Sequence, residues 1–150
     1  MKAGWFYAGW YSRQWLPFNR IAVPGMDRRL AKHIRYSART SRKLARALFH
    51  GMARFGPKLE RQQVLLGRFV DIGTELFAIT ATCLRAQSLM KDPGKSAEVR
   101  DLANYFCDSA RLRITHLFRD LHANAGREGY RLAQKVLEGK QDWVNEGILR

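Results

Sequence analysis

Between Leu59 and Leu84 the apolar residues fall into two parallel stripes, and this limits the fold more than any other feature of the chain. One stripe runs Leu59, Leu66, Val70, Phe77, Leu84; the other runs Leu65, Phe69, Ile72, Leu76, Ile79, Cys83. Both advance by three, four or seven residues, which is helical spacing and not the alternation of a strand. The pattern predicts one long helix from about Pro57 to Met90. A helix apolar on most of its circumference belongs at the centre of other helices. Its remaining polar face holds Arg61, Arg68, Asp71, Glu75 and Arg85. Arg68 and Asp71 are spaced i,i+3 and can pair along the helix. Gly67 and Gly73 inside it cost stability unless a neighbour comes close.

The neighbours can be read on either side. Asp27 is placed as an N-cap. From Leu30 a stripe follows through Ile34, Ser37/Ala38, Ser41, Leu44/Ala45, Leu48, Met52 and Phe55. Gly56 is a stop and Pro57 a start. After the turn "KDPGKS", Ser96 can cap a third helix running to about Asn124, with Glu98 in its first turn. Its apolar face holds Leu102, Phe106, Ala110, Ile114 or Arg113, Leu117 and Leu121. A short fourth helix is expected over Tyr130 to Leu137, ended by Gly139. No strand pattern and no internal repeat is present. The expected fold is all-α, an antiparallel bundle of long helices preceded by an irregular aromatic arm. The expected division is an arm over 1–26, a bundle over 27–139 and a tail over 140–150, with Trp143 as the tail's large anchor.

The arm holds "WFYAGWYSRQWLPF", seven aromatics in fourteen residues with no helical or strand period. It leads into the most basic part of the chain. Arg28, Lys32, Arg35, Arg39, Arg42, Lys43 and Arg46 lie opposite the first helix's apolar stripe, and no acid occurs between Asp27 and Glu60. The whole chain carries 27 Lys and Arg against 13 acids, so phosphate-rich partners come into view. The basic face suits a solvated surface, an acidic partner or an anionic membrane, where Trp5, Trp10 and Trp15 would sit at the interface. Nucleic acid is the weaker alternative, because no helix-turn-helix pattern accompanies the charge. No run of eighteen apolar residues is present, and the first residues lack the apolar stretch of a signal peptide.

Chemistry-bearing motifs are sparse. His116 and His122 are six apart and do not share a helical face; His116 with Asp120 supplies two metal ligands only. Cys83 and Cys107 give no disulfide framework, suit a reducing compartment, and lie on apolar-rich helices where they pack. Asp71 and Glu75 form a carboxylate pair beside Arg68, which reads as local pairing on a polar face. No glycine-rich phosphate loop, nucleophile elbow or HExxH motif is present.

The stretch "KLERQQVLLGRFVDIGTELFAITATCLRAQSL" resembles a helix in the extra C-terminal domain of very-long-chain-type acyl-CoA dehydrogenases. The resemblance rests on Gln63, Leu65, Leu66, Arg68, Asp71, Leu76, Phe77, Ala78, Arg85 and Ala86. In the third helix Cys107, Ala110, Arg113 and Ile114 agree with the family's Cys, Ala and Arg-Ile. The match covers about residues 30–125, and its motifs are packing motifs.

The resemblance implies a detached C-terminal domain of an FAD-dependent enzyme of fatty-acid β-oxidation. That domain would act in packing, in oligomerisation and at a membrane. The family's flavin- and acyl-CoA-binding body does not fit in 26 residues. The short Tyr-Glu-Gly-Thr-like motif around a catalytic glutamate is missing too: Glu146 precedes a glycine, but Asn145 comes before it. No catalytic residue carries over, and the chain alone is expected to be inactive and to bind no FAD. The implied partner is a dehydrogenase catalytic body or a second copy. The expected location is the cytoplasm, peripheral to the membrane, or the mitochondrial matrix face in a eukaryote. The rival reading is a stand-alone basic protein binding anionic membrane or nucleic acid; a complete small enzyme ranks last.

Overall fold

The computed structural model describes residues 9, 11, 21–92, 94, 96–122, 126–141, 143 and 146. Among these, four α-helices follow in order: α1 (Arg28–Phe55), α2 (Gln63–Leu89), α3 (Ser96–Asp120) and α4 (Gly126–Leu137), with a 3-10 turn (Gly56–Arg61) between the first two. No described residue is in a strand. The fold is all-α. Most of the aromatic arm, including Trp5, Trp10 and Trp15, lies outside the described residues.

α1 starts where the sequence places it. The Asp27 carboxylate accepts the Arg29 and Leu30 backbone N–H groups at 2.8 and 3.3 Å, satisfying donors that a helix start leaves open. Asp27 also ties the helices together. Its backbone N–H donates to Gln87 Oε1 at 2.9 Å, and Arg100 pairs with its second oxygen at 3.2 Å. The start of α1 is thereby joined to the end of α2 and the start of α3, which fixes the antiparallel order. α1 ends at Gly56, whose φ of 50° favours a residue without Cβ.

Pro57 does not begin the second α-helix. The chain first makes a six-residue 3-10 turn, and Gln62 (φ −91°, ψ 54°) interrupts the helical path before α2 begins at Gln63. Leu59 therefore sits half-buried in the connector and not on α2. At the other end, α3 stops at Asp120, four residues short of Asn124, and α4 begins at Gly126, four residues before Tyr130.

α2 packs along its length against both α1 and α3, which meet each other only sparsely. The core contains Leu30, Ile72, Leu76, Ile79, Cys83, Ala86, Ala103, Cys107, Ala110, Ile114 and Phe118. The buried positions of α2 (69, 72, 76, 79, 83, 86) alternate steps of three and four, as in coiled-coil seams, and those of α3 (103, 107, 110, 114, 118) advance by threes and fours.

Two expectations are corrected here. On α1 the buried residues are Leu30, Ala31, His33, Ser37, Thr40 and Gly51; of the expected stripe Leu30 and Ser37 are buried and Ile34 and Leu44 pack half-buried against the core, whereas Leu48 and Met52 are exposed. Small and polar residues occupy this seam because the helices come close. The Phe69 ring lies 3.5 Å from where a Cβ on Gly51 would stand, and the Ser37 hydroxyl donates to the Leu76 carbonyl at 3.1 Å. On α2 only one of the two apolar stripes is covered. Val70, Phe77 and Leu84 remain 66, 74 and 56% exposed. Two flanking helices cover one broad arc of α2 and leave the opposite arc open.

Candidate interaction surfaces

The first candidate surface is the outer face of α1. Arg28, Lys32, Arg35 and Arg39 recur every three or four residues and are exposed; Arg42 and Arg46 continue the line half-buried. Lys43 leans toward the core edge, its ammonium 4.1 Å from the centre of the Phe118 ring. Near the end of this face the Tyr11 hydroxyl lies 2.9 Å from His50 Nε2, and its ring stacks obliquely on Phe49 at 5.4 Å. This is where a described residue of the arm meets the bundle.

The packing residues singled out in the sequence scatter. Leu76 and Cys107 are buried, Leu66 and Arg68 half-buried, and Gln63, Asp71, Phe77 and Arg85 exposed. Arg68 does not close the local pair with Asp71; its guanidinium donates to the Asp120 carbonyl at 2.8 Å and caps the end of α3. Glu75 does not work beside Asp71 either. It takes a two-pronged bond from Arg113, at 2.6 and 2.9 Å, that clamps α2 to α3. The carboxylate pushes the Arg113 pKa up, chiefly through that hydrogen bond. Cys83 and Cys107 face each other across α2 and α3 with sulfurs 3.7 Å apart, both fully buried. The hydrogen bond with the Cys83 sulfur, and then burial, raise the Cys107 pKa, so that thiol stays protonated.

His33 escaped the sequence reading. It is 3% exposed, its Nε2 lies 3.2 Å from Asn104 Oδ1, and its Nδ1 has no partner among the described residues. Burial lowers its pKa. The available signal was its place in the 30–33–37–40 line. No group of three His, Cys, Asp or Glu among the described residues could hold a metal.

The second surface is apolar. On α2 Val70, Phe77 and Leu84 form a row at seven-residue spacing, two helical turns apart. On α3 Leu102, Tyr105 and Leu112 are 72, 75 and 66% exposed. α4 adds an apolar side that nothing described covers, with Tyr130, Leu132 and Leu137 at least half exposed. No described helix is long and apolar enough to cross a membrane. Exposed apolar rows of this kind suit contact with another surface. The third feature is a pair of clefts at the end of the bundle where α1 and α3 stop.

Comparison with known proteins adds the context. A model of the "ACAD9/ACADV, C-terminal domain" family matches residues 28–140. The probable acyl-CoA dehydrogenases FadE10 of Mycobacterium bovis and of two Mycobacterium tuberculosis strains are 45% identical to this chain over 151 residues. The match takes in 98% of this chain and 23% of theirs, so the chain spans about a quarter of the length of these relatives. No solved structure matches the chain.

Proposed function

Because the chain belongs to the family of the ACAD9/ACADV C-terminal domain, we propose that it is the packing domain of an acyl-CoA dehydrogenase of fatty-acid β-oxidation. In this reading it takes no part in the chemistry. The observation that carries the proposal is the uncovered apolar row on α2. Val70, Phe77 and Leu84 stand on the helix that forms the centre of the core, yet point away from it. Fully burying one such side chain contributes about 1.5–3 kcal/mol. The occupant is the catalytic body that makes up the remaining three quarters of the relatives' length, on the same polypeptide or another.

Flavin belongs to that body in this proposal. The described part of the chain is helix and turn, without the strand-to-helix glycine turn that cradles a dinucleotide pyrophosphate. The experiment is co-purification of the chain with a FadE10-type body cut before its own C-terminal quarter. The wild-type chain is expected to be retained, and the Phe77→Glu variant lost while still folded. A wild-type chain that fails to associate removes the proposal.

The basic face of α1 supports a second role at an anionic membrane. Five exposed cations, Arg28, Lys32, Arg35, Arg39 and Lys43, lie on one side of a helix with no acidic residue, each contributing about 1 kcal/mol near such a surface. In liposome co-sedimentation the Arg35→Gln, Arg39→Gln, Arg42→Gln triple variant is expected to bind less and to lose salt dependence. If the wild type stays in the supernatant with anionic vesicles at low salt, the membrane role is excluded.

A further inference from the structure

We propose that the clefts at the end of the bundle bind a single-chain anionic amphiphile, a long-chain carboxylate or a monoacyl phosphate. The proposal does not rest on the packing role. The two clefts have volumes of about 650 and 260 Å³ and share Arg54, Phe55, Leu65, Leu121 and His122 as lining. Together they fall within the range of small-molecule sites, about 300–1,000 Å³. The smaller is walled by Phe69 and Phe118, rings that are only 8 and 7% exposed. The larger is edged by Arg54, Arg61, Arg68 and Arg131, and Glu128 is the one acid among the described lining residues of either cleft.

Among the described residues no carboxylate pairs with Lys43, Arg54, Arg61, Arg68 or Arg131. Arg68 is held in place by the Asp120 carbonyl at 2.8 Å, which takes one of five guanidinium donors and neutralises none of the charge. The Lys43 ammonium rests over the Phe118 ring, a weak substitute for an anion. Lys43, Arg54, Arg61 and Arg131 are exposed and Arg68 is half-buried, so an anionic head can reach them from solvent.

The two halves define the ligand class. A small inorganic anion would satisfy the guanidinium edge and leave the phenylalanine wall wet. A neutral lipid would cover the wall and leave the cations unmatched. A molecule with an anionic head and one apolar chain does both. The head can come from a free amphiphile or from a bilayer surface, and only the free one brings a single chain to lie along the phenylalanine wall.

The test is calorimetric titration of the full chain with palmitate and with monopalmitoyl phosphatidate, both below their micellar concentrations. Monopalmitoylglycerol, inorganic phosphate and anionic vesicles are run beside them. One anionic amphiphile is expected to bind per chain, with inorganic phosphate and the neutral lipid at least about tenfold weaker, the scale of a lost charged hydrogen bond. Arg54→Gln with Arg131→Gln, both at exposed positions, is expected to weaken binding about tenfold with an unchanged unfolding midpoint. Arg68→Gln is the second variant, accepted only if it melts as a folded protein. Equal binding of phosphate or of the neutral lipid overturns the proposal, as does binding that the double variant leaves intact. Binding to vesicles but to neither monomer assigns the charge to a bilayer surface and overturns it too.

Discussion

Single residues divide by how far away their partners lie. Asp27 was legible because a capping carboxylate bonds to groups two and three residues on. His33 and Glu75 were not, because Asn104 and Arg113 lie 71 and 38 residues away. His33 carries a pH prediction. Burial lowers its folded pKa, so the unfolded chain takes up its proton first as pH falls. Its contribution is therefore present above the unfolded value of about 6.5 and is lost as pH drops below it. The urea midpoint should fall between pH 7.5 and pH 5.5 (round working values on either side of about 6.5), and His33→Gln should flatten that fall. An equal fall in the variant assigns the effect to other groups. Gly67 carries a second prediction. It sits inside α2 at an exposed position, and among the described residues nothing beyond the adjoining helix backbone lies within 4 Å of where its Cβ would be. Gly67→Ala should raise stability by about 1 kcal/mol through helix propensity alone. A lower midpoint would show that the backbone there is approached by something the described residues do not include.

At the scale of elements, the number and type of the helices followed from apolar spacing, because a three- or four-residue step is a local property. Which face each helix buries did not follow as well. On α1 the expected stripe holds at Leu30 and Ser37, yet Leu48 and Met52 are exposed while His33, Thr40 and Gly51 are buried. Close approach to α2 rewards small side chains and hydroxyls that bond across the seam, and hydrophobicity alone does not register that. The two stripes of α2 are equally apolar, and only the neighbours decide between them. Their consequences differ sharply for residues next to each other in the chain. Leu76 is 4% exposed and Phe77 is 74% exposed. Leu76→Ala should cost about 2–5 kcal/mol through lost burial and the cavity left behind. Phe77→Ala should change the isolated chain by less than about 0.5 kcal/mol, as surface substitutions do. Denaturant midpoints of the two variants decide the matter. Equal losses would mean that Phe77 is covered, and the open row on α2 would not exist.

For the whole molecule, charge and apolar surface act in opposite directions. A net charge of +14 keeps copies apart at low ionic strength, since the screening length is about 30 Å at 0.01 M salt. At 1 M it shrinks to about 3 Å, and repulsion between copies is largely removed. Burial of apolar side chains is not weakened by that screening. With no catalytic body to cover Val70, Phe77 and Leu84, the purified chain should therefore self-associate as salt is raised. Sedimentation velocity should show a mass near that of the monomer at low salt and larger species at high salt. Phe77→Glu with Leu84→Lys should hold the monomer throughout, because each change puts a charge into the row that association would bury. Binding to anionic vesicles through the α1 face should respond the other way and weaken with salt, since it depends on charges that salt screens. One salt titration read by two methods thus separates the two surfaces. If the double variant associates as the wild type does, the contact runs through another part of the surface, and the exposed side of α4 is the next to alter. If the wild type stays monomeric at high salt, the row on α2 is too small to hold a second copy, and only a larger complementary surface such as a catalytic body can cover it.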